Sequence, residues 1–336
     1  MNILLFSHFF YPSVGGVETI SEGLARAWQS RGHTVHVVTQ TALEDHEPLK
    51  GLSVHRNPSF RQMTRLTREA DVFVRSGHSL RSFFWPVLFK TPFLTIHHRP
   101  LKPRGNALRD SFEKLITHLG HNVAVSGPVA DTIPGPTVRI PNTFRPIFDQ
   151  VPDDTKDRQG LLFVGRLVSQ KGADVALDAL SLLRERGVHQ SLTICGDGPE
   201  REALKWQAQN LGLDDSVYFQ GWTNAESLAQ LYSSSEVSLI PSREEAFGIV
   251  ALESIASGCP VVASNVGGLP EAVGACGVLV GPEQPKRLAD AIEKVLQPDV
   301  RETLRRSMPS HVARHRIGAI ASEYLDLMTT LTRRMQ

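Results

Sequence analysis

Short apolar runs alternate along the chain with stretches whose apolar side chains recur every three or four residues. Residues 3–6 form such a run, a polar segment follows, and in 19–31 the side chains of Ile20, Leu24, Ala27 and Trp28 fall on one helical face. Gly32 stops that helix and 35–38 reads as the next strand. Strand, helix of 10–15 residues and strand again is the pattern of a parallel sheet with crossover helices. The same reading places strands at 52–55, 71–74, 93–97, 122–125 and 137–140, with helices at 61–69, 80–89 and 107–119. Residues 151–159, VPDDTKDRQ, break the alternation as a polar linker. A second series then opens, with strands at 161–164, 192–195, 217–219, 237–240, 261–263 and 278–280 and helices at 173–186, 200–211, 225–232 and 249–257. The tail is helical at 286–296, 300–307 and from about 313 to 335.

The expectation is an α/β chain of two open parallel sheets, with domains at 1–150 and 151–312 and a C-terminal helix, 313–336, packing back on the first. Ligands of such sheets bind beyond the carboxyl ends of the strands, so a cleft between the two domains is the expected site.

A length of 336 residues suits two domains, and 41% hydrophobic with 21% charged residues is ordinary for a soluble protein. The start has no basic region or cleavage site of a secretory signal, which points to a cytoplasmic protein. Cys195, Cys259 and Cys276 lie in apolar runs and read as buried free thiols. Net charge is +1, but residues 1–150 hold 17 Lys and Arg against 11 Asp and Glu, and the excess concentrates between Arg56 and Lys114. Such a basic half suits an anionic small molecule or acceptor, or a peripheral contact with a membrane. Aromatic residues are not interleaved with the basic ones as nucleic-acid binding requires, so that class is set aside. The segment 82–89, SFFWPVLF, reads as a helix buried under the sheet, with a membrane-docking face as the alternative.

Candidate chemistry centres on 241–270, PSREEAFGIVALESIASGCPVVASNVGGLP. Glu245 falls in a loop and Glu253 in the second turn of the helix that follows. The helix start between them offers free N–H groups and a positive dipole end to a phosphate. Arg166 and Lys171 sit in a strand-to-helix loop, GRLVSQKG, where a planar fork and a point charge suit a diphosphate. Gly15 and Gly16 precede the first helix and let backbone amides approach an anion, without the spacing of a dinucleotide fingerprint. Gly196 to Pro199 reads as a tight turn and helix cap. His97 and His98 end a strand, where a side chain faces the ligand side of the sheet.

The segments PSVGGVETISEGLARAWQSRGHTVHVVT, FLTIHH, VAVS, FVGRLVSQKG, GDGPERE, VYFQGW and EEAFGIVALESIASGCPVVASNVGGLPE, in this order, resemble family 4 of the retaining glycosyltransferases. That resemblance spans almost the whole chain and implies the GT-B fold of two Rossmann-like domains, a nucleotide-sugar donor and no metal or other cofactor. It implies that Glu253 binds the ribose hydroxyls, that Glu245 touches the transferred sugar and that Arg166 and Lys171 neutralise the diphosphate. It further sets Phe247, Gly248, Ile249 and Val250 against sugar and phosphates, Gly15 and Gly16 near the diphosphate and His97 beside the donor sugar. A UDP-sugar is the default donor and a GDP-sugar the alternative. The acceptor is a hydroxyl of a glycan, a lipid-linked glycan or a small molecule, as in polysaccharide biosynthesis. A nucleotide-sugar epimerase of the same fold, or a non-catalytic sugar-nucleotide binding protein, is the competing reading. One departure is plain: the family's Asn-Gly-hydrophobic-Asp segment stands here as Asn142-Thr143-Phe144-Arg145.

Overall fold

In the computed structural model, residues 1–333 are described except 14, 45, 78–79, 103–104, 106 and 150–157 and the side chains of 80, 81 and 107–109. Most of the expected linker thus lies outside the described residues. The chain divides into two units, Met1–Thr143 with Arg316–Gln336, and Phe144–His315.

The first unit opens with β1 (Asn2–Ser7), α1 (Gly16–Ser30), β2 (Thr34–Thr39), β3 (Ser53–Arg56), α2 (Phe60–Glu69) and β4 (Val72–Ser76). It continues with α3 (Leu80–Phe89), β5 (Phe93–His97), α4 (Ala107–Leu119), β6 (His121–Ala124), α5 (Gly127–Ala130) and β7 (Thr137–Arg139). The seven strands are parallel in the order β3-β2-β1-β4-β5-β6-β7. Ile3 stands opposite both Val35 and Val72, so β1 is central and buried on both faces. The order turns back between β1 and β4, the switch point at which such sheets open a crevice. Crossovers from β3 to β4, β4 to β5 and β5 to β6 run the same way and, being right-handed, set α2, α3 and α4 on one face. There Met63 and Leu66 of α2, Phe83 of α3 and Ile116 of α4 share a core with Leu4, Phe6, Phe73 and Phe93 of the sheet.

The second unit has β8 (Leu161–Val164), α6 (Ala173–Glu185), β9 (Leu192–Cys195), α7 (Arg201–Asn210), β10 (Val217–Gly221), α8 (Ala225–Ser234) and β11 (Val237–Ile240). After these come α9 (Ile249–Ala256), β12 (Val261–Ser264), α10 (Leu269–Val273), β13 (Gly277–Val280), α11 (Pro285–Leu296) and α12 (Pro298–His315). Its six parallel strands run β10-β9-β8-β11-β12-β13, with the switch between β8 and β11. Leu161, Phe163, Ile194, Leu239 and Val262 of the sheet pack with Val175, Leu180, Leu288 and Ile292 of α6 and α11.

The tail departs from the sequence reading. A break was expected between 307 and 313, yet α12 continues through Pro309. Met308, His311, Val312 and His315 are buried along one side, and the His311 ring meets the Ala272 carbonyl oxygen at 2.8 Å. That packing outweighs the backbone hydrogen bond a proline removes. The chain breaks at Arg316, and α13 (Ile317–Arg333) lies in the first unit against α1. The Trp28 indole donates to the Ala321 carbonyl at 3.3 Å and its ring meets Tyr324 edge-on at 5.9 Å. All three cysteines are buried free thiols. No helix among the described residues is long and apolar enough to cross a membrane.

Candidate functional site

The loops leaving β8, β9 and β11 converge at the carboxyl edge of the second sheet. Gly172, closing the loop after β8, has φ +68°, and a Cβ there would stand 2.1 Å from the Pro241 carbonyl oxygen. Only glycine lets the two loops lie this close. The Leu167 amide donates to the Asp197 carbonyl and the Glu200 amide to that of Leu167, at 2.9 and 3.1 Å, which ties in the loop after β9. Arg243 pins the third loop. Its amide donates to the Gln170 carbonyl at 2.8 Å, and its guanidinium reaches the Ser169 carbonyl at 2.6 Å, Asp174 at 2.6 and 2.9 Å and Glu283 at 3.0 Å. Partial burial pushes the Asp174 carboxyl upward, but the Arg243 hydrogen bond and charge outweigh it and hold the acid below its ordinary range. Nothing in the spacing marked Arg243 as the residue that fixes the loop.

Across the β8/β11 switch, Lys171 Nζ lies 2.5 Å from Glu245 Oε2, with both side chains largely shielded. The Gly268 amide donates to the Glu245 carbonyl at 3.1 Å and holds the loop backbone. Arg166, earlier in the same loop after β8, is exposed. Phe247 is buried, and Gly248 at φ +107° reverses the chain so that Ile249 opens α9. The amides of Ile249 and Val250 therefore belong to the first turn, whose N–H groups lack intrahelical acceptors. Two cations, a carboxylate and a helix N-terminus thus share one strand edge.

Glu253 is the fifth residue of α9 and is 6% exposed. Its Oε1 accepts from Arg145 Nε and Nη2, each at 3.1 Å, and that guanidinium lies 4.8 Å from the Phe148 ring centroid. Burial pushes the Glu253 carboxyl up to about 7, an effect the Arg145 charge and hydrogen bond only partly offset. Arg145, which the sequence marked only as a departure from the family segment, is therefore the partner of the acid expected to hold ribose.

The remaining expected residues lie in the first unit. Gly15 precedes α1 at φ −178°, an extended backbone open to any residue, so no conformational demand selects glycine there. Gly16 is the first residue of α1. The His97 ring, expected to face outward from the strand end, is 1% exposed and folds back along the sheet, with Nε2 2.9 Å from Asn122 Oδ1. Its neighbour, also buried, joins the strand ends instead: His98 Nε2 is 3.0 Å from Ser76 Oγ, which continues to Ser21 Oγ at 2.9 Å and from there to Ser7 Oγ at 3.3 Å. Ser7 ends β1 and Ser76 ends β4, so this buried chain spans the first sheet's switch point. Among the described residues no group of three or more His, Cys, Asp or Glu side chains is placed to hold a metal ion.

Residues 145–310 match the family model described as Glycosyl transferases group 1. The uncharacterized glycosyltransferase MJ1607 of Methanocaldococcus jannaschii is 42% identical over 142 residues, 42% of this chain and 36% of that protein. The D-inositol 3-phosphate glycosyltransferase of Corynebacterium jeikeium is 41% identical over 162 residues, 45% of this chain and 39% of that protein. The chain therefore aligns with less than half the length of these relatives. Among solved structures, Anabaena Alr3699/HepE in complex with UDP superposes with a TM-score of 0.82 at 21% identity, over 98% of this chain and 100% of that one. At that identity the likeness speaks for the fold. Residues 145–310 thus carry the group 1 glycosyltransferase family's sequence, and the two parallel sheets are those of the GT-B fold, the combination found in glycosyltransferases of the family-4-like type.

Proposed function

We propose that the chain transfers a hexosyl group, with retention of configuration, from a nucleotide sugar to an acceptor hydroxyl. The observation that carries this reading is the Lys171–Glu245 pair across the β8/β11 switch, beside the start of α9. A cation held 2.5 Å from a carboxylate at a helix N-terminus is poised to turn to a diphosphate when one arrives. Arg166, Lys171 and the amides opening α9 neutralise the leaving group, a role they fill without calling on a metal or cofactor. Glu253 accepts from the ribose hydroxyls, and Glu245 contacts the sugar. Phe247 and Gly248 shape the wall behind it. On the first unit, Gly15 and Gly16 at the start of α1 are the candidate contacts, while the His97 ring is committed to Asn122. Since the solved neighbour binds UDP, a UDP-sugar is the first donor to try, with a GDP-sugar second.

In the reaction the bond from the anomeric carbon to the diphosphate oxygen breaks. A bond from the same face to the acceptor oxygen forms, and the acceptor proton passes to the departing phosphate. Donors already aimed at the developing charge supply most of the acceleration. Glu245 stays a binding group, since no glycosyl-enzyme is formed on it. The acceptor is a glycan, a lipid-linked glycan or a small polyol, and the site of action is cytoplasmic. Incubation with donor and a panel of such acceptors should release nucleoside diphosphate only when an acceptor is present, and NMR should show the donor's anomeric configuration in the product. Release with no acceptor-linked sugar, or an inverted product, would refute the proposal.

A further inference from the structure

The segment read as a helix buried under the first sheet is buried on one side only. Ser82, Phe83 and Pro86 of α3 face inward, while Phe84 is 52%, Val87 44% and Leu88 50% exposed. The flanking helices repeat this: Phe60 of α2, and Phe112, Leu115 and Leu119 of α4, are exposed at similar levels. These seven are most of the large apolar side chains exposed among the described residues, and all lie on three consecutive helices over one face of one sheet. Ring contacts make the surface continuous. Phe60 meets Trp85 at 4.8 Å, Trp85 stacks with Phe89 at 6.3 Å, and Phe83 meets Phe112 edge-on at 5.9 Å. A helical layer normally turns a polar face to water, and contiguous apolar surface of this kind marks an interaction site.

Charge decides what covers it. Arg61, Arg65 and Arg68 repeat at helical spacing along α2, exposed, and line a groove with Phe60, Thr64 and the single carboxylate Glu69. Arg68 lays its guanidinium 4.8 Å from the Phe89 ring centroid, and Lys90 and Lys114 stand exposed at α3 and α4. Aromatic and aliphatic side chains beside a cationic stripe match the boundary between acyl chains and acidic headgroups. A second copy fits worse, because a two-fold contact through this face would oppose the same arginines. We propose that the outer face of α2, α3 and α4 is a docking surface for an anionic lipid bilayer, with the aromatic residues entering the headgroup boundary and the arginines pairing with lipid phosphates.

Flotation of the full chain with vesicles tests this. Vesicles of phosphatidylcholine with phosphatidylglycerol should carry the protein up the gradient, and phosphatidylcholine alone should not. Raising the salt should weaken binding. The pair Phe84→Glu with Leu88→Glu, and separately Arg61→Gln with Arg65→Gln, should each lower the partition by roughly tenfold or more. Trp206→Glu, an exposed aromatic of the second unit, should leave it unchanged. Circular dichroism and turnover of a water-soluble acceptor should be normal in all of these variants, which separates lost docking from lost folding. The proposal fails if the wild type ignores acidic vesicles, if Trp206→Glu removes binding as well as the helix variants do, or if sedimentation shows a dimer that only the helix variants dissolve.

Discussion

Replacing Glu253 by Gln should trade donor binding for stability, in a way that pH makes visible. The acid's ordinary value is 4.5, and burial on α9 raises it to about 7. Between those values the folded chain keeps a proton that the unfolded chain releases, so stability is lost as pH rises through the window and levels off above it. A rise from 4.5 to about 7 corresponds to a cost of roughly 3 kcal/mol at pH 8 and almost none at pH 4. Gln keeps the volume and an oxygen for Arg145 but carries no charge to bury. The variant should therefore be about 3 kcal/mol more stable at pH 8, or some 6–12 °C in Tm for a unit of this size, and nearly equal to wild type at pH 4. Scanning fluorimetry of both proteins across pH 4 to 8.5 reads this directly. In the same experiment the shift that UDP gives the wild type should shrink in the variant, because a ribose pair prefers a carboxylate. Wild-type affinity should fall as pH drops below 7. A stability difference that is constant with pH, or a variant weaker at pH 8, would refute the assignment of a strained, buried carboxylate at this position.

Glu245→Gln frees Lys171 from its internal partner, so UDP should bind about fivefold tighter, the worth of an ion pair still partly open to solvent, while turnover falls. Arg166→Ala and Lys171→Ala should each cost about 3 kcal/mol of transition-state stabilisation, seen as a loss of one hundred-fold or more in kcat/KM. Arg243→Ala unties the loop after β11 from Ser169 and Asp174 and should cost roughly 2–3 kcal/mol in urea unfolding, with donor binding weakened alongside. Cys259 and Cys276, whose thiols burial pushes up to about 11, should resist a thiol-specific dye until the protein unfolds.

The strand-helix alternation was readable because each buried strand is a short run of apolar residues and most helices carry a single inward stripe. Glu245 in a loop and Glu253 within the helix followed from the glycine and apolar spacing of 241–270 alone. What escaped were effects of partners far apart in the chain. Arg145 and Glu253 are 108 residues apart, and Arg243 and Asp174 are 69 apart, so no local spacing links them. Helix α12 runs through Pro309 because His311 and its neighbours are buried within the second unit, a gain that propensity does not record. The orientation of His97 likewise depends on Asn122, 25 residues on. The family segment's substitution by Arg145 was visible as a departure, but its meaning needed the carboxylate beside it.

The claim that matters most is that the β8/β11 crevice of the second unit binds a nucleoside diphosphate through Lys171 and Arg166. Titration calorimetry with UDP, UMP and uridine, on wild type and Lys171→Ala, tests it most directly. UDP should bind far more tightly than UMP, uridine should not bind measurably, and Lys171→Ala should erase most of the advantage of the second phosphate. Equal affinity for UDP and UMP, with Lys171→Ala and wild type indistinguishable, would contradict the account.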